Sequence, residues 1–299
     1  MKKKIRYILE AALVYIFFTL FRILGFKLSS KLGGLIARSI GPKLKVNNVA
    51  INNLNLVMPE LSQQERNKII NDMWDNLGRT AAELPNIPKI NKYNYKDYIT
   101  TTGEDYIIDA MKNNEQILFF SSHSANWEIS SIIASLLGYE FAAIYRKANN
   151  PYVDKIIQNC RKNTYHEMMP KGKTGAKRII EYLNSGRGLA ILTDQKMNDG
   201  IDVDFFGIPA MTAPALAKFA LKYKTIIIPS FTIRNGSKFE VLFYPPIDLK
   251  DKDALEIMTE ANKFLEDRIR ENPGQWMWVH KRWPESNSRK AVNTTKKTT

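Results

Sequence analysis

Leu118-Phe-Phe-Ser-Ser-His123-Ser-Ala-Asn126-Trp127-Glu128-Ile-Ser130 is the stretch on which the fold turns. The apolar run Ile117 to Ser121 is short enough for a buried strand. A polar turn follows, and Asn126 to Leu137 then carries apolar residues at helical spacing. The same alternation continues downstream. Strands are expected at Phe141 to Tyr145, Leu189 to Thr193, Thr225 to Phe231 and Phe239 to Phe243, and helices at Tyr152 to Tyr165, Thr174 to Asn184, Pro214 to Leu221 and Ala254 to Arg270. Strands alternating with helices predict an α/β domain with a mainly parallel central sheet flanked by helices. In such sheets ligands bind in the crevice beyond the strand ends, which is where His123 falls.

His123 and Glu128 are five residues apart. On one continuous helix they would diverge by about 140°. With His123 in the turn and Glu128 in the first helical turns, the carboxylate folds back toward the imidazole and orients it as a general base. Such a dyad has no nucleophile of its own, so the substrate must bring the hydroxyl. The competing reading makes His123 a helix cap and Glu128 a favourable charge at the helix N-terminus. Arg146 follows an apolar strand and is suited to clamp a phosphate; alternatively it pairs with Asp154 or Glu140. Asp194-Gln195 also ends an apolar strand, either to hydrogen-bond a sugar and position Arg146, or simply to open a loop. Trp276-Met-Trp278-Val-His280-Lys-Arg282-Trp283 has the make-up of an interfacial belt, with core packing of the indoles as its rival.

Composition removes other chemistries. The chain of 299 residues has one cysteine, Cys160, and three histidines. Cys-rich metal sites and an internal disulfide are therefore excluded, and no metal ligand is expected. Lys171-Gly-Lys-Thr-Gly175 has Glu167 where a P-loop needs glycine, although Lys171 or Lys173 would suit an acidic substrate or carrier. No Gly-x-Ser-x-Gly elbow and no His-Glu-x-x-His pattern occurs.

The net charge is +14, and the first 50 residues hold ten cations against the single anion Glu10. Within them Ala11 to Phe21 is uninterrupted by charge. A bilayer span needs about 20 mainly apolar residues, so this segment is expected to anchor the chain. It either spans the membrane or lies in the interface, where cations on both sides meet anionic headgroups. Four units are expected: an anchor helix over 1–30, a helical segment over 31–90 containing a helix opened by the Ser62-Gln-Gln-Glu65 capping box, an α/β domain over 91–284, and a polar tail over 285–299.

His-Ser-Ala-Asn-Trp-Glu resembles the His-(x4)-Asp/Glu motif of the lysophospholipid acyltransferase superfamily, in the His-x-x-Asn-Trp-Glu form of the bacterial lipid A biosynthesis (late) acyltransferases, lauroyl/myristoyl type. Further segments resemble that family in the same order: Tyr145-Arg146-Lys147 with Asn150-Pro-Tyr-Val-Asp154, Gly188-Leu-Ala-Ile-Leu-Thr-Asp194-Gln195, Val203-Asp-Phe-Phe-Gly207, and Pro273-Gly-Gln-Trp276 through Trp283. The resemblance covers roughly residues 10 to 284 and implies a glycerol-3-phosphate acyltransferase-like fold. It implies transfer of a fatty acyl chain from acyl carrier protein to a hydroxyl on an acyl chain of a lipid A precursor of the Kdo2-lipid IVA type. His123 and Glu128 would be catalytic, without metal, acyl-enzyme or resident cofactor; the carrier-bound acyl donor is a co-substrate. Asn126, Trp127, Tyr145, Arg146, Lys147, Asp194 and Gln195 would bind substrate. Main-chain amides at the start of the following helix would hold the oxyanion, and Phe205, Phe206, Gly207 and Met211 either line an acyl groove or pack in the core. Implied partners are acyl carrier protein, the lipid precursor and an anionic membrane, with no nucleic acid, and the implied location is the cell inner membrane with the catalytic domain on its cytoplasmic face. Two alternatives stay open: the same chemistry on another glycolipid or glycerolipid, and a non-catalytic basic membrane-binding protein.

Overall fold

The computed structural model describes residues 2–283 except Asn163, with the side chains of Lys2 and Lys173 also set aside; the expected polar tail lies outside the described residues. Three helices come first: α1 (Lys2–Ile40), α2 (Asn47–Val57) and α3 (Gln63–Glu83). The capping box predicted at Ser62 is formed, with Glu65 Oε2 accepting from the Ser62 amide at 2.7 Å. Gly25, at φ 72°, divides α1 into two helical segments. The second segment packs closely on α3, because any Cβ at Gly33 or Gly78 would strike the facing backbone. The helix therefore runs past the expected boundary at residue 30 without a break at that point.

The remainder is the α/β domain. It contains β1 (Ile99–Thr102), α4 (Glu104–Lys112), β2 (Ile117–Ser121), α5 (Ile129–Leu136), β3 (Phe141–Tyr145), α6 (Pro151–Arg161), β4 (Glu167–Pro170), α7 (Lys173–Asn184) and β5 (Gly188–Leu192). It continues with β6 (Lys196–Phe205), β7 (Ile208–Thr212), α8 (Ala215–Tyr223), β8 (Ile226–Asn235), β9 (Lys238–Phe243) and α9 (Ala254–Glu271). Seven strands form one sheet in the order β1-β9-β8-β2-β5-β3-β4, parallel at every junction except the β8–β9 hairpin. The expected mainly parallel sheet flanked by helices is thus the observed architecture. Alternation along β2 feeds two cores. Leu118 and Phe120 pack on the side of α7, α8 and α9, while Ile117 and Phe119 face α4 and α5. The β6–β7 ribbon stands apart from the sheet and is held by α9, where Glu266 accepts from the Phe206 amide at 2.6 Å.

The first segment of α1 does not leave the domain. Asn150, the N-cap of α6, donates to the Tyr7 carbonyl at 2.8 Å and to Glu10 at 3.0 Å. Asn86 donates to the Phe21 carbonyl at 2.9 Å and Lys89 to the Arg22 carbonyl at 2.6 Å. Ala11 and Phe21 are buried by this packing. Ile8, Leu9, Leu13, Ile16, Phe17, Leu20 and Ile23 face outward, and the helix is long and apolar enough to cross a membrane.

Candidate active site

β2 and β5 are parallel neighbours with Ser121 opposite Leu192. Two residues beyond each of these positions stand His123 and Asp194, so the register alone places them side by side past the strand ends. Asp194 Oδ1 lies 2.7 Å from His123 Nδ1. Its Oδ2 accepts from the His123 amide at 2.8 Å and from Trp276 Nε1 at 2.8 Å. Burial by itself would raise the Asp194 carboxyl, but the His123 charge and the three donated hydrogen bonds outweigh it and hold the group at about 2. An ionised Asp194 accepts from a proton on Nδ1, which in the neutral imidazole leaves the lone pair on Nε2. Nε2 lies 3.4 Å from Gln195 Nε2 and faces a cavity of about 410 Å³. Trp127 packs edge-on against the imidazole at 5.0 Å.

Glu128 is therefore not the partner of the His123 ring, and the expected hydrogen bond between them is replaced by the one to Asp194. The helix begins only at Ile129, and Glu128 is directed to the end of α6 and the loop after it, where one oxygen is paired with Arg161 and the other accepts from Tyr165 Oη at 3.0 Å. A carboxylate buried this deeply needs a cation, which Arg161 supplies. Glu128 and His123 nonetheless line the same cavity. Asn126 requires a second correction: it is fully buried rather than facing substrate, and its amide donates to Glu83 at 2.8 Å. Its own oxygens accept from the Glu128 and Ile129 amides, which removes two of the main-chain donors expected for an oxyanion.

The other expected site residues divide. Trp127, Tyr145, Arg146 and Gln195 line the cavity; Lys147 is exposed and does not. Asp194 sits behind His123 and is almost wholly buried, so it holds the His123 ring rather than a sugar. Tyr145 Oη accepts from Gln158 at 2.7 Å. The acids that would have neutralised Arg146 are engaged elsewhere, Glu140 with Arg187 and Asp154 with the Ala148 amide and Gln158. Arg146 is thus exposed at the cavity without a carboxylate partner among the described residues. Phe205 and Phe206 pack in the core, as do Trp276, Trp278 and Trp283, which settles that cluster against the interfacial belt. Sequence reasoning missed Arg161, Tyr165 and Trp276 as members of the site and undervalued Lys171 and His280, which also line the cavity. For Arg161, Tyr165 and Trp276 the signal was faint, because they lie 33, 37 and 82 positions from the carboxylates they contact. No group of acid, histidine and cysteine ligands fit for a metal occurs among the described residues.

A histidine held by a buried carboxylate, beside a cavity with apolar walls and a cationic rim, is an arrangement fit to take a proton from a hydroxyl brought by a substrate. The chain belongs to the bacterial lipid A biosynthesis acyltransferase family, whose model matches residues 1–285. It is an acyltransferase of lipid A biosynthesis, and the non-catalytic alternative falls. It is 25% identical to a lipid A biosynthesis acyltransferase of Haemophilus influenzae, over 88% of this chain and 84% of that one. It is 24% identical to the lipid A biosynthesis myristoyltransferase of Escherichia coli, over 78% and 73% of the two chains. A phosphatidylinositol mannoside acyltransferase of Mycobacterium tuberculosis is 21% identical over 70% and 68%.

Proposed function

We propose that the enzyme transfers a fatty acyl chain from acyl carrier protein to a hydroxyl on an acyl chain of a tetra-acylated, glucosamine-disaccharide lipid A precursor of the Kdo2-lipid IVA type. The observation that carries the mechanism is the His123–Asp194 pair with Nε2 open to the cavity. His123 Nε2 takes the acceptor's hydroxyl proton as its oxygen attacks the thioester carbonyl carbon. A new C–O bond forms, the carbonyl oxygen becomes an oxyanion, and the C–S bond then breaks. The departing thiolate recovers the proton from Nε2, so ester and free carrier thiol leave and the enzyme is unchanged. Asp194 fixes the tautomer and stabilises the imidazolium. Glu128 holds Arg161, which lines the cavity and brings a positive charge suited to the oxyanion. Phe119, Phe141, Phe243 and Ala134 give the cavity apolar walls suited to an acyl chain, with Arg146 and Lys171 at its rim for phosphate or carrier. No resident cofactor enters this scheme.

The seat we propose is the cytoplasmic face of the inner membrane, with α1 lying in the interface. Hydrogen bonds tie α1 to the domain at Tyr7, Phe21 and Arg22, which supports an in-plane helix over a span. Single cysteines placed at Lys4 and Lys27, with Cys160 replaced by serine, should both react with a membrane-impermeant thiol reagent from the cytoplasmic side of sealed vesicles. Labelling of the two from opposite sides would instead establish a span.

The assay for the activity uses membranes holding the full chain, acyl-loaded carrier protein of several chain lengths and the tetra-acylated precursor. The product should gain the mass of one acyl group, and His123→Ala should abolish the gain. No product at any chain length from folded protein would overturn the acceptor assignment. The mycobacterial relative makes a mannosylated phosphatidylinositol the next acceptor to try.

A further inference from the structure

The turn that carries His123 contains a residue in an unfavourable conformation. Ala125 has φ 49°, in the left-handed region where a Cβ is disfavoured. A non-glycine residue is kept there only when its surroundings over-determine it. Around Ala125 they do. Its amide donates to the Gln275 carbonyl at 2.9 Å. Its carbonyl accepts from Asn76 Nδ2 at 3.0 Å and Thr80 Oγ1 at 2.9 Å, both on α3. The next residue, Asn126, donates to Glu83 at the end of the same helix. Asn76, Thr80 and Glu83 stand four and three residues apart, which aligns them on one face of α3. Arg234 of β8 crosses behind them, donating to Asn76 at 2.7 Å, to Thr80 at 3.0 Å and to both oxygens of Glu83. All five side chains are buried.

We propose that this face of α3, locked by Arg234, is a positioning device for the catalytic turn: Thr80 and Asn76 hold the Ala125 peptide in its left-handed conformation and thereby set where His123 stands. None of these groups touches the cavity, so they act through the turn. The chain of effect is short. Met277 donates to the His123 carbonyl at 3.1 Å and Ser124 bridges to Trp276, so the turn is stitched on one side to the segment that also holds Asp194, and on the other to α3. Reversal of the Ala125 peptide would move the His123 backbone, whose amide is itself a ligand of Asp194. Displacements of about 1 Å in a catalytic group cost on the order of 100-fold in rate. The second segment of α1 packs on α3 as well, so it and the catalytic turn share one support.

Removal of Glu83 leaves Arg234 buried without its carboxylate and threatens the fold, so the test uses milder changes. Thr80→Val keeps shape and deletes one donor to Ala125, while the Arg234 nitrogen that donated to Thr80 keeps Glu83 as acceptor. It should lower kcat about tenfold or more, with KM for the acyl donor within about twofold and an unchanged circular dichroism spectrum. Glycine adopts a positive φ without steric cost, so adding Ala125→Gly to Thr80→Val should restore most of the lost kcat. A hydroxyl that served stability alone would not be rescued in this way. Wild-type kcat in Thr80→Val, or failure of the added glycine to restore turnover in folded protein, overturns the proposal. The inference rests on His123 as the base. Full activity in His123→Ala would remove that reading itself, whereas the two Thr80 outcomes bear only on the support beneath it.

Discussion

Asp194→Asn is expected to lower kcat by about 10⁴-fold with KM for the acyl donor nearly unchanged, the loss found when a histidine base is deprived of its orienting carboxylate. The asparagine fits the space but presents either an amide donor or a neutral oxygen to Nδ1, so neither the tautomer nor the imidazolium is supported. The variant also weakens the acceptor for the His123 amide and Trp276 Nε1. Steady-state kinetics in the acyl-transfer assay is the check, and a loss below tenfold would show that Asp194 is not the orienter. The acid limit of the wild-type enzyme follows from the same pair. Held at about 2 against an ordinary 3.8, the Asp194 carboxylate stabilises the folded state fully above the ordinary value. That contribution disappears only as the pH falls toward 2, so an activity lost on mild acidification reports another group.

Arg161→Met is expected to destabilise the protein by about 3–5 kcal/mol, because it strands the Glu128 carboxylate in the interior. Tyr165 would remain as its sole side-chain donor. Burial already pushes the Tyr165 phenol up, so that hydroxyl stays protonated and cannot compensate charge. Adding Glu128→Gln removes the stranded charge and should recover most of the stability while leaving turnover low, since the proposed oxyanion donor is still missing. Urea denaturation in a fixed detergent, followed with the acyl-transfer assay, separates the two effects. If the double variant were as unstable as the single one, the Arg161–Glu128 pairing would not account for the loss. If it regained turnover, Arg161 would have no part in the chemistry.

Local pattern carried most of the fold. The short apolar runs at β2, β3, β5, β8 and β9 are near-continuous because a parallel sheet covered on both faces buries both sides of each strand. The Ser62–Glu65 capping box was visible because its two bonds depend only on a three-residue spacing. β6 was not visible, since Lys196-Met-Asn-Asp-Gly-Ile is polar and largely exposed and pairs only with β7. β4 hid for a related reason: it is four residues long, sits at the sheet edge and ends in proline.

The site was legible residue by residue but not in its pairings. His123 and Asp194 stood out as polar groups beyond apolar runs, and Glu128 as the acid five residues after His123. Which carboxylate meets the imidazole depends on the β2–β5 register, a contact across 71 positions that no spacing within the motif encodes. Proximity in sequence favoured Glu128; burial beside Arg161 decided otherwise. The tryptophans near the C-terminus were ambiguous for the same reason. Their composition suits a membrane surface, but Trp276 is committed to Asp194 and Trp283 Nε1 donates to the Phe205 carbonyl at 3.0 Å.

The most direct test of the His123–Asp194 base is the ring-proton NMR spectrum of the detergent-solubilised protein with ¹⁵N-labelled histidine. With three histidines in the chain, His123→Ala assigns the signal. A strongly deshielded Nδ1–H resonance belonging to His123 should vanish in Asp194→Asn and persist in Glu128→Gln. Its persistence in the first variant and loss in the second would contradict the account and return the orienting role to Glu128.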